Sequence, residues 1–300
     1  MRFYLSTLLA LLVHLSYSQN FNTSTIPKEL LSHADAVVRL DRTDVVVEAR
    51  NRMNVTSTRV VTVLNENGNE HVQAYAFYEK NDKISELEAI VYNDRGEEIK
   101  KIKKRDFLDQ SAISGGTLYS DSRVLVLQYT PTQYPYTIEF RKEYVTPNTA
   151  FAPNWSFLED YRIGVESSEF SFIVECGIPF RHKELNFDGY DIKVSQLPNG
   201  IKYSGQNMSA FEREPLSPSF QDFVPQVKVA LNQFHLEGVD GEAETWEDLG
   251  KWMNDELLYG RDQLPEGTVQ YVQNLVRNID DPLEITRKVY EYVQENTRYI

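Results

Sequence analysis

Cysteine and histidine are the residue types that thiol chemistry requires, and the sequence contains one cysteine, Cys176, and five histidines. Such catalysis needs a thiolate beside a base in a polar, electropositive setting. Cys176 shares strand parity with Phe172 and Val174, so we expect a small, buried core residue and not a nucleophile. His182 follows six residues later, and one such pair specifies no catalytic site.

The histidines show no ligand spacing such as HExxH, and a single cysteine makes a structural zinc site unexpected. They are His14, His33, His71, His182 and His235. The sequence lacks a glycine-rich phosphate loop, a G-x-S-x-G elbow and a dinucleotide fingerprint. We therefore predict no catalytic, cofactor-binding or metal-binding residue and no cofactor. The sequence does not decide whether two acidic residues form a carboxylate pair for glycoside hydrolysis, because the separation of the two carboxylates depends on the fold.

Aromatic residues are abundant, with 18 Tyr and 15 Phe. Tyr129, Tyr134, Tyr136 and Trp155 could form a platform for a sugar or a peptide. Packing in the core and across strands is the favoured interpretation, because tyrosine suits half-buried pleated surfaces. A glycan or a peptide thus remains a possible partner.

The charge balance disfavours nucleic acid as a partner. The sequence has 45 acidic and 31 basic residues, a formal net charge of -14, which repels phosphate backbones and anionic membranes. The one basic cluster is interpreted as a solvated strand end, because short basic runs are weak signals. It consists of Lys100, Lys101, Lys103, Lys104 and Arg105.

The amino terminus has the layout of a secretory signal. Arg2 supplies positive charge, residues 5–15 are mostly apolar, and small residues precede Gln19. The apolar run is shorter than the ~20 residues that span a bilayer, and no later stretch is long and apolar enough. We therefore predict a signal peptide over residues 1–18 and an exported chain, periplasmic or extracellular, without a transmembrane segment after cleavage.

Short β-branched and aromatic runs between turn residues predict about a dozen strands. They include residues 36–50, 59–64, 72–78, 87–92, 97–102, 123–129, 136–144, 170–174, 192–196, 201–204 and 227–231. Residues 65–69 and 93–96 predict hairpins, 197–200 predict a turn, and 123–129 are expected to pair with 136–144. Alternating parity in that last segment predicts that Thr137, Glu139, Arg141 and Glu143 face water.

The hydrophobic period becomes helical near Gly241. Thr245 with Asp248, and Asp281 with Pro282, are predicted to begin helices. The apolar face would hold Trp246, Leu249, Met253 and Leu257 in the first helix, Val269, Val272, Val276 and Ile279 in the second, and Ile285, Val289, Tyr292, Val293 and Asn296 in the third. We predict a mainly β protein with antiparallel, sandwich-like sheets over residues 19–240, followed by a helical segment over 241–300.

Two stretches carry a family resemblance. Residues 119–144 (YSDSRVLVLQYTPTQYPYTIEFRKEY) resemble an exported domain, of the domain-of-unknown-function class, that precedes transglutaminase-like cysteine domains in bacterial proteins. The WEDL stretch at Trp246, the Asp281-Pro282 pair and residues 290–300 (YEYVQENTRYI) resemble the helical lead-in of the transglutaminase-like fold.

The resemblance implies that a reactive cysteine follows shortly after Ile300, at the start of a helix, with histidine and aspartate partners further along. A helix N-terminus helps to stabilise a thiolate, and the partners exchange and orient the proton. None of these positions falls within the 300 residues, so no catalytic residue is carried over. The expected function is a non-catalytic, substrate-positioning region of a cysteine peptidase or acyltransferase. The alternative is an exported glycan- or peptide-binding protein without enzyme activity.

Overall fold

The computed structural model describes residues 21–112, 122–261 and 263–297. The predicted signal segment 1–18 and residues 298–300 of the helical tail lie outside these ranges. Strands hold 43% of the described residues and helices 22%, which confirms a mainly β fold with a helical C-terminal segment.

Sixteen strands occur in the described ranges. In chain order they are β1 (Ala36–Ala49), β2 (Arg52–Val63), β3 (Tyr75–Tyr78), β4 (Lys83–Tyr92), β5 (Glu98–Lys103), β6 (Leu108–Ser111), β7 (Arg123–Val126), β8 (Tyr136–Thr146), β9 (Trp155–Ser156), β10 (Ile163–Val174), β11 (Phe180–Leu185), β12 (Ile192–Leu197), β13 (Gly200–Met208), β14 (Gln226–Leu231), β15 (Gln233–Leu236) and β16 (Val239–Glu242). The α-helices described are α1 (Lys28–Leu31), α2 (Trp246–Trp252), α3 (Glu266–Leu275) and α4 (Pro282–Asn296), and a π-helical segment spans Met253–Leu258.

An eight-stranded main sheet, in the order β12-β13-β10-β1-β2-β8-β4-β5, forms the central layer. Two three-stranded sheets, β11-β14-β9 and β3-β7-β6, pack against one face of it, which we call the inner face. Strands β15 and β16 form a separate hairpin. Alternate residues of the central strands point inward, and Val45, Val47 and Phe172 are fully buried there. Burying each such side chain contributes about 1.5–3 kcal/mol.

The N-terminal segment, residues 21–31, covers part of the opposite, outer face. The Phe21 ring lies 4.9 Å from the Tyr92 ring, centroid to centroid, and Leu30 of α1 is fully buried. Gly164 of β10 permits this approach, because a Cβ there would lie 2.9 Å from the backbone oxygen of Leu30. The sheet is therefore buried on both sides near its centre.

This cover changes the exposure of β8. Thr137 and Glu139 are buried, so the expectation that they face water is wrong, whereas Arg141 is exposed as expected and Glu143 is half-buried. The Thr137 hydroxyl lies 2.8 Å from that of Thr62 on β2. Buried polar residues on this parity therefore make their hydrogen bonds to side chains of the same sheet.

One pair in the main sheet, β1 with β10, is parallel, unlike the antiparallel sheets expected. On the outer face, charged and polar side chains of β1 and the residues next to it contact the residues directly opposite them on or next to β10. The contacts are Asp35 with Arg162, Arg39 with Glu166, Arg42 with Glu169, and Asp44 with Ser171. Each contact spans 127 residues of sequence, so these residues connect distant parts of the chain.

Of the predicted turns, the β4–β5 hairpin is confirmed. Its Asn93 side chain accepts hydrogen bonds from the backbone of Arg95 and Glu97, and Gly96 has φ +81°. The turn between β12 and β13 is also confirmed. The hairpin at residues 65–69 is wrong, because Asn65 caps the 3-10 helix Glu66–Val72, which leads the chain to a different sheet.

The predicted pairing of residues 123–129 with 136–144 is also wrong. Strand β7 pairs with β3 and β6, whereas β8 pairs with β2 and β4. The segment between β7 and β8 therefore connects two layers. Sequence proximity favours a local pair, but here the nonlocal strands supply the matching surfaces.

The helix starts are confirmed: Thr245 and Asp248 form a capping box, and Asp281 caps α4 with Pro282 at its beginning. The face predicted for α2 is partly wrong, since Trp246 is 88% exposed whereas Trp252 is buried. The Trp252 indole nitrogen donates to a backbone oxygen of the β15–β16 hairpin, which turns this side of α2 inward. Helix α3 ends at Leu275, before the predicted positions Val276 and Ile279.

Candidate binding cleft

The inner face of the main sheet changes from aliphatic to polar at its centre. The register sets six polar residues side by side: Ser168 on β10, Asp41 and Thr43 on β1, Ser57 and Arg59 on β2, and Lys142 on β8. We call this set the polar band. It lies between the two small sheets, since Tyr75 of β3 and Trp155 of β9 border the same cavity of about 150 Å³ above it.

Arg59 is the centre of a buried ion cluster. It donates through Nη1 to Asp41, and its Nη2 lies 2.9 Å from Glu159 Oε2. Burial raises the pKa of Asp41 to about 7, against the attraction of the guanidinium. Burial also acts to lower the pKa of Arg59, but the carboxylates of Glu159 and Asp41 outweigh it and raise that pKa. The cluster therefore keeps Arg59 charged.

The Arg59 side chain retains one unused donor. Its Nε is buried and has no hydrogen-bond partner in the described part of the chain. A buried donor without a partner is costly, so such a position favours an acceptor brought by water or a ligand.

Lys142 lies at the border between the polar band and a larger cavity of about 530 Å³. Within the described residues its ammonium group makes no hydrogen bond and no ion pair. Burial lowers the pKa of Lys142, while the charges of Asp41 and Glu159 oppose the shift. Lys142 thus presents a partly desolvated cation to both cavities.

Strands from two layers form the walls of the larger cavity. Its lining is Met53, Ala76, Phe77, Tyr78, Glu79, Asp82, Ile84, Ser122, Lys142, Tyr144, Thr146, Asn148 and Phe151. Burial, with a smaller effect of Asp82, raises the pKa of Tyr144 to about 12, so its hydroxyl stays protonated at neutral pH. The cavity therefore offers a cation, a hydroxyl donor and aromatic rings.

An apolar groove of about 450 Å³ continues from this cavity, and Phe151 lines both. Its walls come from β14, the β15–β16 hairpin and α2. The Phe234 and Trp252 rings meet edge to face at 5.0 Å between centroids. Lys142 lines both the small cavity above the polar band and the larger cavity, and Phe151 lines both the larger cavity and the groove. We call the polar band, the larger cavity and the groove together the cleft.

Cys176 lies outside the cleft, and its predicted burial is wrong. Strand β10 ends at Val174, and Cys176 occupies an exposed turn before Gly177, which has φ +72°. The parity of Phe172 and Val174 therefore does not extend to the thiol. No group of three or more His, Cys, Asp or Glu side chains in the described ranges is arranged to hold a metal ion.

The structure brings together three of the four residues of the aromatic platform. The Tyr136 ring lies 5.6 Å from Tyr129 and 5.7 Å from Tyr134. Trp155 lies elsewhere, where it stacks on Phe170 and donates to Ser168 in the polar band. Tyr136 and Trp155 are buried, which agrees with packing as their main role.

The basic cluster follows the sheet edge. Lys101 on β5 pairs with Glu88 at 2.8 Å, and Lys104 donates to the backbone oxygen of Ile84. Its side chains are otherwise largely exposed, as expected of a strand end. No helix in the described ranges has both the length and the apolar composition needed to cross a bilayer.

Sequence reasoning did not select Lys142, Arg59, Asp41 or Glu159. One signal was present, since Lys142 shares the parity of the apolar residues Ile138 and Phe140 in β8. A lysine on the buried parity of a strand indicates a functional or paired charge. The other three residues gave no such signal.

Comparisons with known proteins agree with this fold. No curated protein matches the sequence. A putative protease from Parabacteroides distasonis has a similar structure, with a TM-score of 0.60 and 13% identity over 87% of this chain. The chain spans about half, 50%, of the length of that structure. At this identity the likeness shows the fold alone.

Two other solved structures have TM-scores too low to support an argument. An M1 zinc metallopeptidase from Deinococcus radiodurans gives 0.29 at 9% identity, covering 81% of this chain and 53% of that one. A putative nutrient binding protein from Legionella pneumophila gives 0.28 at 11% identity, covering 90% and 88%. The family model described as a domain of unknown function with a solved structure, DUF3857, matches residues 49–210, more than half of the sequence. The chain belongs to the DUF3857 family.

Proposed function

We propose that this chain is the non-catalytic, β-rich region of an exported protein with a transglutaminase-like cysteine domain, and that it positions the substrate of that domain. The observation that carries the proposal is the coverage: 87% of the chain corresponds to half of a structure described as a putative protease. The parent would act as a cysteine peptidase or acyltransferase.

The helices near the C-terminus support a neighbouring domain. Helices α3 and α4 contact each other through Tyr271 and Tyr292, whose ring centroids are 4.9 Å apart. Leu283 and Tyr290 are 75% and 62% exposed. Exposed apolar and aromatic side chains that lie together on two helices favour a covering partner. In our proposal the cysteine domain covers these helices.

The chemistry of the described residues also supports a positioning role. Cys176 is exposed in a turn, and the cleft contains charged and aromatic groups but no cysteine. Thiol chemistry needs a base within hydrogen-bond reach, and the structure gives Cys176 no hydrogen bond or ion pair to one. The reactive group would come from the other domain.

Reading the gene beyond codon 300 tests this proposal. We expect a Gly-x-Cys segment within the next few dozen codons, followed by a histidine and an aspartate. In the full-length protein, replacing that cysteine by alanine should abolish turnover, whereas Cys176→Ser should leave it unchanged. A stop codon at this point, or full activity without the distal cysteine, would overturn the proposal.

Export is a separate part of the proposal and rests on residues 1–18. N-terminal sequencing of the protein recovered from the periplasm or medium should begin near Gln19. Recovery of the chain from the cytoplasm with Met1 intact would contradict export.

The cleft itself favours the second candidate function, an exported binding protein for a peptide or glycan without enzyme activity. It combines an unpaired cation with apolar and aromatic walls, as ligand sites commonly do. Glycan and peptide arrays probed with the purified chain test this candidate, and binding without any distal cysteine in the gene would favour it.

A further inference from the structure

The cleft is bordered by a strand edge that has no partner strand among the described residues. Strand β3 is the outer strand of its sheet, with β7 on one side only. Its residues Ala76, Phe77 and Tyr78 line the larger cavity consecutively. Successive side chains of a strand point to opposite faces of the sheet. Three consecutive lining residues therefore indicate that β3 presents its edge, with its backbone groups, to the cavity. An exposed edge of this kind accepts another extended chain.

A second unpaired edge occurs in the other small sheet. Strand β9 pairs with β14 only at Gln226 and Val227. Residues 228–231 of β14 have no strand partner on that side in the described part of the chain, and Ala230 and Leu231 line the apolar groove. Backbone hydrogen-bonding groups are thus available at both ends of the cleft.

Lys142 is the one cation among the described residues that line the larger cavity. Glu79 and Asp82 also line it, and their neutral donors, Ser122 Oγ at 3.3 Å from Glu79 and the Glu79 backbone nitrogen at 2.9 Å from Asp82, leave their negative charges in place. An acidic group of a ligand is therefore expected at Lys142 and away from these two carboxylates. The ammonium group of Lys142 has three donors and no hydrogen-bonded counterpart in the described ranges. A carboxylate is the group that matches these donors.

The neighbouring groove requires an apolar side chain. Phe151 lines both the groove and the Lys142 cavity, so the two spaces adjoin and one ligand can fill both. Side chains on one face of an extended chain recur every second residue, about 6.5–7 Å apart. A peptide strand therefore carries the two kinds of side chain at a suitable interval.

A peptide fits the cleft better than a sugar. The most exposed rings that line it are Trp246, Phe151 and Phe77, at 88%, 77% and 63%, and such rings pack on sugars and on peptide side chains alike. The open backbone of β3 and β14 decides between the two ligands, because it pairs with peptide groups.

We propose that the cleft binds an extended polypeptide as an added strand along β3, with an acidic side chain at Lys142 and an apolar side chain in the groove beyond Phe151. This inference rests on the proposed substrate-positioning function and names the class of substrate. The recognised segment has the acidic and apolar residues on the same face, two or four positions apart.

Binding of capped nonapeptides to the purified chain tests the inference. The probe has a central Glu, a Leu two positions later, and Gly, Ser and Thr at the other positions. Two matched peptides replace the Glu by Gln or by Lys. A third places the Leu directly after the Glu, which puts it on the opposite face of the strand. We expect the first peptide to bind about tenfold more tightly than the Gln peptide, because a hydrogen bond to a charged group contributes that much.

Protein variants locate the contact. Lys142→Met should remove the preference for Glu over Gln, and Phe151→Ala should remove the preference for Leu at the second position. Lys193→Met, at an exposed lysine on β12 outside the cleft, is the matched control and should preserve both preferences. An unchanged Glu preference in Lys142→Met would overturn the assignment of the anion contact.

Hydrogen exchange tests the added strand. Peptide binding should slow amide exchange in β3, while β12 should be unaffected. Binding of an acidic oligosaccharide but of no peptide, or peptide binding without protection of β3, would overturn the proposal. A gene without a distal cysteine would defeat the proposed function, but peptide binding and protection of β3 would still be observed. Failure of the proposed function is therefore distinguishable from failure of the peptide site.

Discussion

The two faces of the main sheet bury charges in different ways. On the outer face Glu139 of β8 is buried, and it accepts hydrogen bonds from Tyr92, at 2.8 Å, and from Arg141. On the inner face Lys142, three residues later on the same strand, has no hydrogen bond or ion pair among the described residues. A buried charge with its partners in place is costly to disrupt, whereas a charge without them is available to a ligand.

The largest expected effect is at Arg59, whose guanidinium pairs with both Asp41 and Glu159 on the inner face. Arg59→Met should lower the free energy of unfolding by about 3–5 kcal/mol, because Asp41 and Glu159 would remain buried without their cation. Denaturant titration measures this loss. Arg42→Met is the control: its pair with Glu169 is half exposed, and the expected cost is below about 1 kcal/mol. Equal losses in both variants would contradict the distinction.

On the outer face, Glu139→Gln should cost about 1–3 kcal/mol, since it weakens the charged hydrogen bonds to Tyr92 and Arg141. The same titration measures it, with Glu88→Gln as a more exposed control. A cost below that of the control would show that the outer network does not stabilise the sheet.

The pH dependence of stability should reveal Asp41. Its pKa in the folded chain is about 7, above the ordinary value of 3.8, so the folded state retains a proton that the unfolded state loses. Stability from this group is therefore fully present below about pH 4 and is lost as the pH rises to about 7. Thermal unfolding at several pH values should show Asp41→Asn gaining stability relative to the unmodified chain across that window. A pH-independent difference would contradict the raised pKa.

Lys142→Met should make the chain more stable by about 1 kcal/mol, because it removes a desolvated charge without a hydrogen-bonded partner. Thermal and denaturant unfolding measure the gain. A loss larger than this would show that Lys142 stabilises the fold, and the contrast between the faces would then fail.

The smallest effect is expected at Cys176. Cys176→Ser should change the free energy of unfolding by less than about 0.5 kcal/mol, as exposed substitutions usually do. The folded, unmodified chain should react with a thiol reagent such as Ellman's reagent as readily as the denatured chain. Slow reaction in the folded state would contradict the exposed position of the thiol.

Local signals in the sequence predicted those elements whose determinants are local. The turn at Asn93, the capping box at Thr245 and the helix start at Asp281 each depend on hydrogen bonds within a few residues. Strand partners depend on distant surfaces, so the pairing of β7 with β3 and of β1 with β10 could not be predicted from spacing. The buried outer face was missed because it depends on the N-terminal segment packing there.

The candidate site was less predictable than the fold. The parity of β8 sets Lys142 among apolar residues, and that much is visible in the sequence. Its lack of a partner depends on Arg59 taking both Asp41 and Glu159, which is a property of the assembled layers. The exposure of Cys176 depends on where β10 ends, a boundary that alternation alone does not fix.

The parallel pair of β1 and β10 has a consequence for synthesis. Because β1 precedes its partner by 127 residues, a chain growing from its amino end can form the β1–β2 hairpin long before β10 leaves the ribosome. Until then one side of β1 is an open edge, and such edges attract other chains. A nascent chain of this family would therefore benefit from chaperone protection until about residue 174, where β10 ends.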